Sequence, residues 1–98
     1  PTVASPLLTD LMDVDDESYS LCVEALAGTD LRGRVRDLVM PFHIIAGEVD
    51  PVIQLADAEE AVASARTGKL HVIAGASHLA VVEKPAEVAA ILLSEVPL

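Results

Sequence analysis

Aromatic residues are almost missing from this chain: among 98 residues there is one Phe (Phe42), one Tyr (Tyr19) and no Trp. Aromatic side chains bury about 150–250 Å² each and anchor most small cores, so a core here has to be assembled from small aliphatics. These are plentiful, with 52% hydrophobic residues and a mean hydropathy of +0.48. A high apolar content with few anchors points to a piece of a larger α/β core; the alternative is a compact α/β unit or an oligomer that buries the excess. A single cysteine, Cys22, excludes an internal disulfide and paired thiolate ligands, and fits a reducing compartment. Basic residues are scarce, six against sixteen acids for a net charge of −10. That argues against nucleic acid and anionic membrane as partners, since both need a basic footprint. No apolar run approaches the ~20 residues that span a bilayer. No signal peptide is recognisable, and a cytoplasmic location is expected. The chain opens on Pro1 rather than Met, as a processed or truncated product would. No serine lies in a Gly-x-Ser-x-Gly turn.

The length suits one domain at most. Residues 7–12 read as a loop or short helix. Asp15 or Asp16 is a good N-cap for a helix running to Ala27, where Gly28 stops it. Tyr19, Cys22, Val23 and Leu26 recur at helical spacing on one face, which reads as a core stripe and makes Cys22 a core residue. Asp13, Asp15, Asp16 and Glu17 lack the Gly turn and terminal Glu of a calcium loop, and read as a solvated helix start that complements the dipole. Residues 30–38 form a charged connector with a short helical turn, whose Arg32, Arg34 and Arg36 do not share a helix face.

Residues 42–46 and 70–74 are short, nearly continuous apolar runs, as strands of a buried parallel sheet are. Between them Leu55, Ala58, Val62 and Ala65 make the apolar stripe of a helix over 55–66, with Asp57, Glu59 and Glu60 opposite. Pro85 suits a first helical position and opens a last helix to about Glu95, with Val88, Ile91 and Leu92 on one side. Strand, crossover helix and strand imply parallel strands. Asp50 and His78, each just past a strand, then emerge at the same sheet edge.

These two are the candidate catalytic residues. Gly47 lets the chain leave the first strand sharply, and Pro51 biases Asp50 away from helical angles. The acid would accept the imidazole N–H, select its tautomer and stabilise the imidazolium. His78, after the small residues Gly75, Ala76 and Ser77, would act as general base and then acid. Glu48 ranks below Asp50 as the acid. His43 and His71 sit inside the strands and read as satisfied core or sheet-edge histidines; the three histidines have no zinc-site spacing. Ser77 comes nearest to a nucleophile turn but lacks the second Gly, and its neighbour His78 cannot easily receive its proton.

An acid and then a histidine, each after a parallel strand, is the order of the α/β-hydrolases. The chain resembles their carboxyl-terminal part through Pro41-Phe-His-Ile-Ile-Ala-Gly-Glu-Val-Asp-Pro51, Leu70-His-Val-Ile-Ala74, Ala76-Ser-His-Leu79 and Val82-Glu-Lys-Pro-Ala-Glu-Val88. The last is similar to the Glu-x-Pro-x-x-Val that follows the histidine of that superfamily. A narrower likeness, in Tyr19-Ser-Leu-Cys-Val-Glu-Ala-Leu26, Asp30-Leu-Arg32 and the Leu79 after His78, resembles the segment joining cap to core in 3-oxoadipate enol-lactonases.

The resemblance implies an α/β fold: residues 1–38 the end of a helical cap and its connector, residues 39–98 the C-terminal βαβα part of the core. It implies Asp50 as the triad acid, His78 as the triad base, an ester or lactone substrate, an acyl-enzyme and no metal or organic cofactor. The nucleophile and oxyanion donors would lie on an N-terminal part, so this chain alone is expected to be inactive. A relative with a carboxylate nucleophile, as in dehalogenases, keeps the fold and differs in the absent turn. The other class of reading is a non-catalytic α/β module that self-associates or docks on a partner chain.

Overall fold

The computed structural model describes residues 4–95. The chain divides between Leu31 and Arg32 into two compact units. The first holds helices α1 (Ala4–Asp13) and α2 (Asp16–Ala27). Asp15 caps α2 as expected: the Ser18 N–H and hydroxyl both donate to its Oδ2 at 2.9 Å. The backbone bond and then the hydroxyl hold the Asp15 carboxyl below its ordinary value, against a smaller opposing effect of desolvation. At the other end the Gly28 N–H donates to the Glu24 carbonyl and the Thr29 N–H to the Leu26 carbonyl, both at 3.1 Å. The expected core stripe is corrected. No residue of α1 or α2 is buried, Leu26 is 75% exposed, and Cys22 is exposed. An amphipathic face becomes core only when another surface meets it, and spacing along one helix cannot supply that surface.

The second unit opens with a 3₁₀ helix (Arg32–Asp37), the short helical turn of the connector. Arg34 pairs with Asp37 at 3.4 Å on its surface. Arg66 Nε donates to the Arg36 carbonyl at 3.1 Å, fastening this turn beyond the end of the crossover helix. Strands β1 (Phe42–Gly47) and β2 (Gly68–Ile73) form a parallel two-stranded sheet, in register from Phe42 opposite Gly68 to Gly47 opposite Ile73. Helix α3 (Leu55–Ser64) lies between them in sequence and packs on both. Its stripe is oriented as the spacing predicts, with Ala58 buried, Leu55, Val62 and Ala65 half-buried, and Asp57, Glu59 and Glu60 exposed.

The second strand begins at Gly68 rather than Leu70, because Gly68 and Lys69 extend the ladder opposite Phe42 and His43. It ends before Gly75, which turns the chain at a φ of 73° that side-chain-bearing residues rarely adopt. A one-turn helix α4 (Ala80–Glu83), unmarked by any periodicity, precedes α5 (Pro85–Glu95). Lys84 separates them because a residue before proline is disfavoured in helical angles. Ile73, Ala76, Ala80 and Val88 form the buried cluster, with Ile45 and Ile91 packed against it. Leu92, expected on the same side, is 50% exposed.

This core is small. Among the described residues only Ala46, Ala58, Ile73, Ala76, Ala80 and Val88 are buried, and none is larger than Ile. Large apolar side chains at the surface include Val39, Val52, Val81 and Leu93. Apolar side chains exposed in this number offer a face that another surface can cover. Among the described residues no helix is long and apolar enough to cross a membrane.

Candidate active site

The loops that follow β1 and β2 are bound to one another before any side chain is considered. The Glu48 N–H donates to the Ile73 carbonyl and the Val49 N–H to the Ala76 carbonyl, both at 3.0 Å. Gly47 is essential to this approach: a Cβ there would run into the carbonyls of Ser77 and Ala76. The two chains therefore leave the sheet in contact, and residues 28 apart in sequence become neighbours.

Asp50 and His78 are brought together. Nδ1 of His78 lies 3.0 Å from Oδ2 of Asp50. The other oxygen, Oδ1, accepts the Val52 N–H at 2.8 Å and the Ile53 N–H at 3.1 Å. The carboxylate is thus fixed on one side by the turn that Pro51 initiates, and its free oxygen faces the imidazole. Its side chain is 7% exposed, against 49% for His78. Desolvation pushes the Asp50 carboxyl up, but the hydrogen bond from His78, then those from Val52 and Ile53, together outweigh it and hold it below its ordinary value. An ionised carboxylate only accepts, so Nδ1 carries the hydrogen, and in the neutral ring the lone pair is on Nε2. That leaves an oriented base on a half-exposed ring.

Two further carboxylates brace the histidine loop. Glu48 accepts the Gly75 N–H through Oε1 at 3.1 Å, and so supports the loop rather than competing for His78. Glu83 on α4 accepts the Ser77 N–H through both oxygens, at 3.2 and 3.1 Å. The role of Glu83 was not legible beforehand; the signal was its place in the Glu-x-Pro word five residues after His78. His43 and His71 lie elsewhere, within the strands, and satisfy one another: His43 Nδ1 and His71 Nε2 are 3.0 Å apart. A hollow of about 330 Å³ opens beside the 3₁₀ helix and α3, lined by Arg32, Val35, Ile53, Asp57 and Glu60 among others. Neither Asp50 nor His78 lines it.

Parallel strands that release an acid and a histidine into one hydrogen-bonded pair give the arrangement of α/β-hydrolases. The chain is similar to 3-oxoadipate enol-lactonase 2 of Acinetobacter baylyi, with 35% identity over 85 residues, 87% of this chain and 32% of that protein. It is also similar to 3-oxoadipate enol-lactonase 1 of the same organism, with 32% identity over 83 residues, 85% of this chain and 31% of that protein. The chain spans about a third of the length of the curated relatives it matches. No family model matches it, and no solved structure does.

Proposed function

We propose that this chain is the carboxyl-terminal βαβα portion of a serine α/β-hydrolase, preceded by the end of a cap, and that it supplies the acid and base of a catalytic triad. The observation that carries the reading is the Asp50–His78 pair, 3.0 Å apart with the acid's other oxygen held by two backbone amides. The similarity to proteins named 3-oxoadipate enol-lactonase supports an ester or lactone as substrate, with 3-oxoadipate enol-lactone the first to test.

In this mechanism a serine on an N-terminal part attacks the acyl carbonyl while Nε2 of His78 takes its proton. Asp50 stabilises the imidazolium without becoming protonated. His78 returns the proton to the leaving oxygen, giving an acyl-enzyme. Water then attacks with His78 again as base, and the serine regains its proton as the acid product leaves. The chain alone performs neither half, because its sequence carries no Gly-x-Ser-x-Gly nucleophile turn.

The test is reconstitution. Turnover of a 4-nitrophenyl ester and of the enol-lactone is measured with the chain alone, and with a serine-bearing amino-terminal portion of a homologous lactonase added. Activity only in the mixture, lost with His78→Ala, is expected. An inactive mixture in which the two parts associate would defeat the proposal. The exposed apolar side chains on the second unit favour one second reading, a non-catalytic module that self-associates; a stable homo-oligomer that excludes the amino-terminal part would establish it.

A further inference from the structure

One face of the two-stranded sheet carries a second group of titratable side chains that the hydrolytic reading does not use. His43 on β1, His71 on β2 and Glu95 at the last turn of α5 offer one ligand atom each, and these atoms lie within 4.8 Å of one another. The alternation of side chains along paired strands explains the meeting. His43 stands opposite Lys69 and His71 opposite Ile45, so all four project from one face. The same face carries Ile45 and Ile73, which pack with Val88 and Ile91 of α5, and this docking brings Glu95 to the histidines.

The two imidazoles are 5.3 Å apart at their centroids with 17° between planes, and their facing nitrogens are 3.0 Å apart. Rings stacked face over face at that separation could not bring two nitrogens so close; they lie side by side, lone pair toward lone pair, sharing one hydrogen. Beside them Lys69 Nζ sits 2.6 Å from Glu95 Oε1. The position thus already attracts a cation, the lysine ammonium.

We infer that His43, His71 and Glu95 form a binding site for a divalent late transition metal ion, Zn²⁺ in the first instance. Two imidazoles and a carboxylate are a donor set that suits zinc, with water as fourth ligand. Zinc–nitrogen bonds of 2.0–2.1 Å in a tetrahedron place ligand atoms about 3.3 Å apart. The facing nitrogens are already near that spacing; each ring turns by about 35° to aim its lone pair at a shared ion, and the most distant donor moves by at most about 1.5 Å. Binding requires both facing nitrogens as lone pairs, so the shared hydrogen moves to the outer nitrogen of its ring and both imidazoles stay neutral. Lys69 gives up Glu95 to the metal. The ligands sit on two paired strands and a helix end, whose dipole also favours a cation. The three histidines have no zinc-site spacing, but the fold brings Glu95, 24 residues beyond His71, to the position that His78 does not take.

The test is calorimetric titration of the metal-free chain with Zn²⁺, in a Cys22→Ser background because the Cys22 thiol is exposed. One ion per chain is expected, with Co²⁺ giving the visible absorption of a tetrahedral site. His43→Ala and His71→Ala should each weaken binding by more than about tenfold, since even groups behind the ligands are worth 10–100-fold. His43→Gln and His71→Gln, which keep a hydrogen-bonding side chain between the strands, should do the same with the circular dichroism spectrum retained. Lys69→Met should tighten binding by freeing Glu95. His78→Ala should leave it unchanged. No stoichiometric binding, affinity unchanged within about twofold in both glutamine variants, or loss of the ion in His78→Ala would each overturn the site.

Discussion

The backbone N–H of Val49 donates to the carbonyl of Ala76 at 3.0 Å, one residue before the acid in one loop and two before the histidine in the other. The bond lies beyond the last pair of the sheet ladder, Gly47 with Ile73, and continues the pairing into the loops. The Asp50–His78 contact is therefore set by main-chain geometry, with the side chains completing it.

That geometry separates catalytic loss from misfolding. In the reconstituted enzyme Asp50→Asn keeps an oxygen for the Val52 and Ile53 amides while presenting N–H to His78, which forces the hydrogen onto Nε2 and removes the base. A fall in kcat of about ten-thousand-fold is expected, with KM and the thermal midpoint little changed. His78→Ala should fall at least as far. Steady-state kinetics on the two variants checks both.

Asp50 also makes stability depend on pH in a defined direction. Its folded carboxyl lies below the ordinary 3.8, so the stability it lends is complete above the unfolded-state value. It is lost as pH falls through 3.8 and on through the folded value. Acid unfolding followed by circular dichroism should show this loss in the parent. In Asp50→Asn the dependence in that window should be shallower.

Gly47→Ala should be among the most damaging single changes to the second unit. The added methyl meets the carbonyls of Ser77 and Ala76, both backbone, and backbone cannot rotate aside. A loss of about 3 kcal/mol is expected from overpacking, read as a lowered denaturation midpoint, together with loss of the Asp50–His78 hydrogen bond from the imidazole proton spectrum.

Glu83 is a positioning residue with a graded test. Glu83→Ala removes both acceptors from the Ser77 N–H, and about 1 kcal/mol of local stability goes with them. Hydrogen exchange at Ser77 should quicken by about fivefold. Glu83→Gln keeps one oxygen and should fall between the parent and the alanine variant.

Local signals located most elements because each rests on a short-range cause. The Asp15 cap and the Gly28 stop of α2, the Pro85 start of α5 and the inward stripe of α3 follow from hydrogen-bonding capacity, backbone freedom and period. They err where the cause is not local. Cys22 shares a regular apolar stripe and is exposed, because a stripe says which side is apolar and not whether anything lies on it. The first two residues of β2 were invisible in composition, since Gly68 and Lys69 are strand only by pairing with Phe42 and His43. The four residues of α4 are too few to show a period.

The candidate site divides along the same line. The amino-acid order alone determined that an acid and a histidine follow two apolar runs joined by a helix, and parallel strands oblige such residues to leave from one edge. Only the tertiary structure decided that Glu48 and Glu83 brace the histidine loop, and that His43, His71 and Glu95 converge on one face of the sheet. Those contacts join residues from separate elements, and their meeting depends on strand register and on how α5 docks. Pairing and packing set both, and no residue's neighbours in the chain encode them.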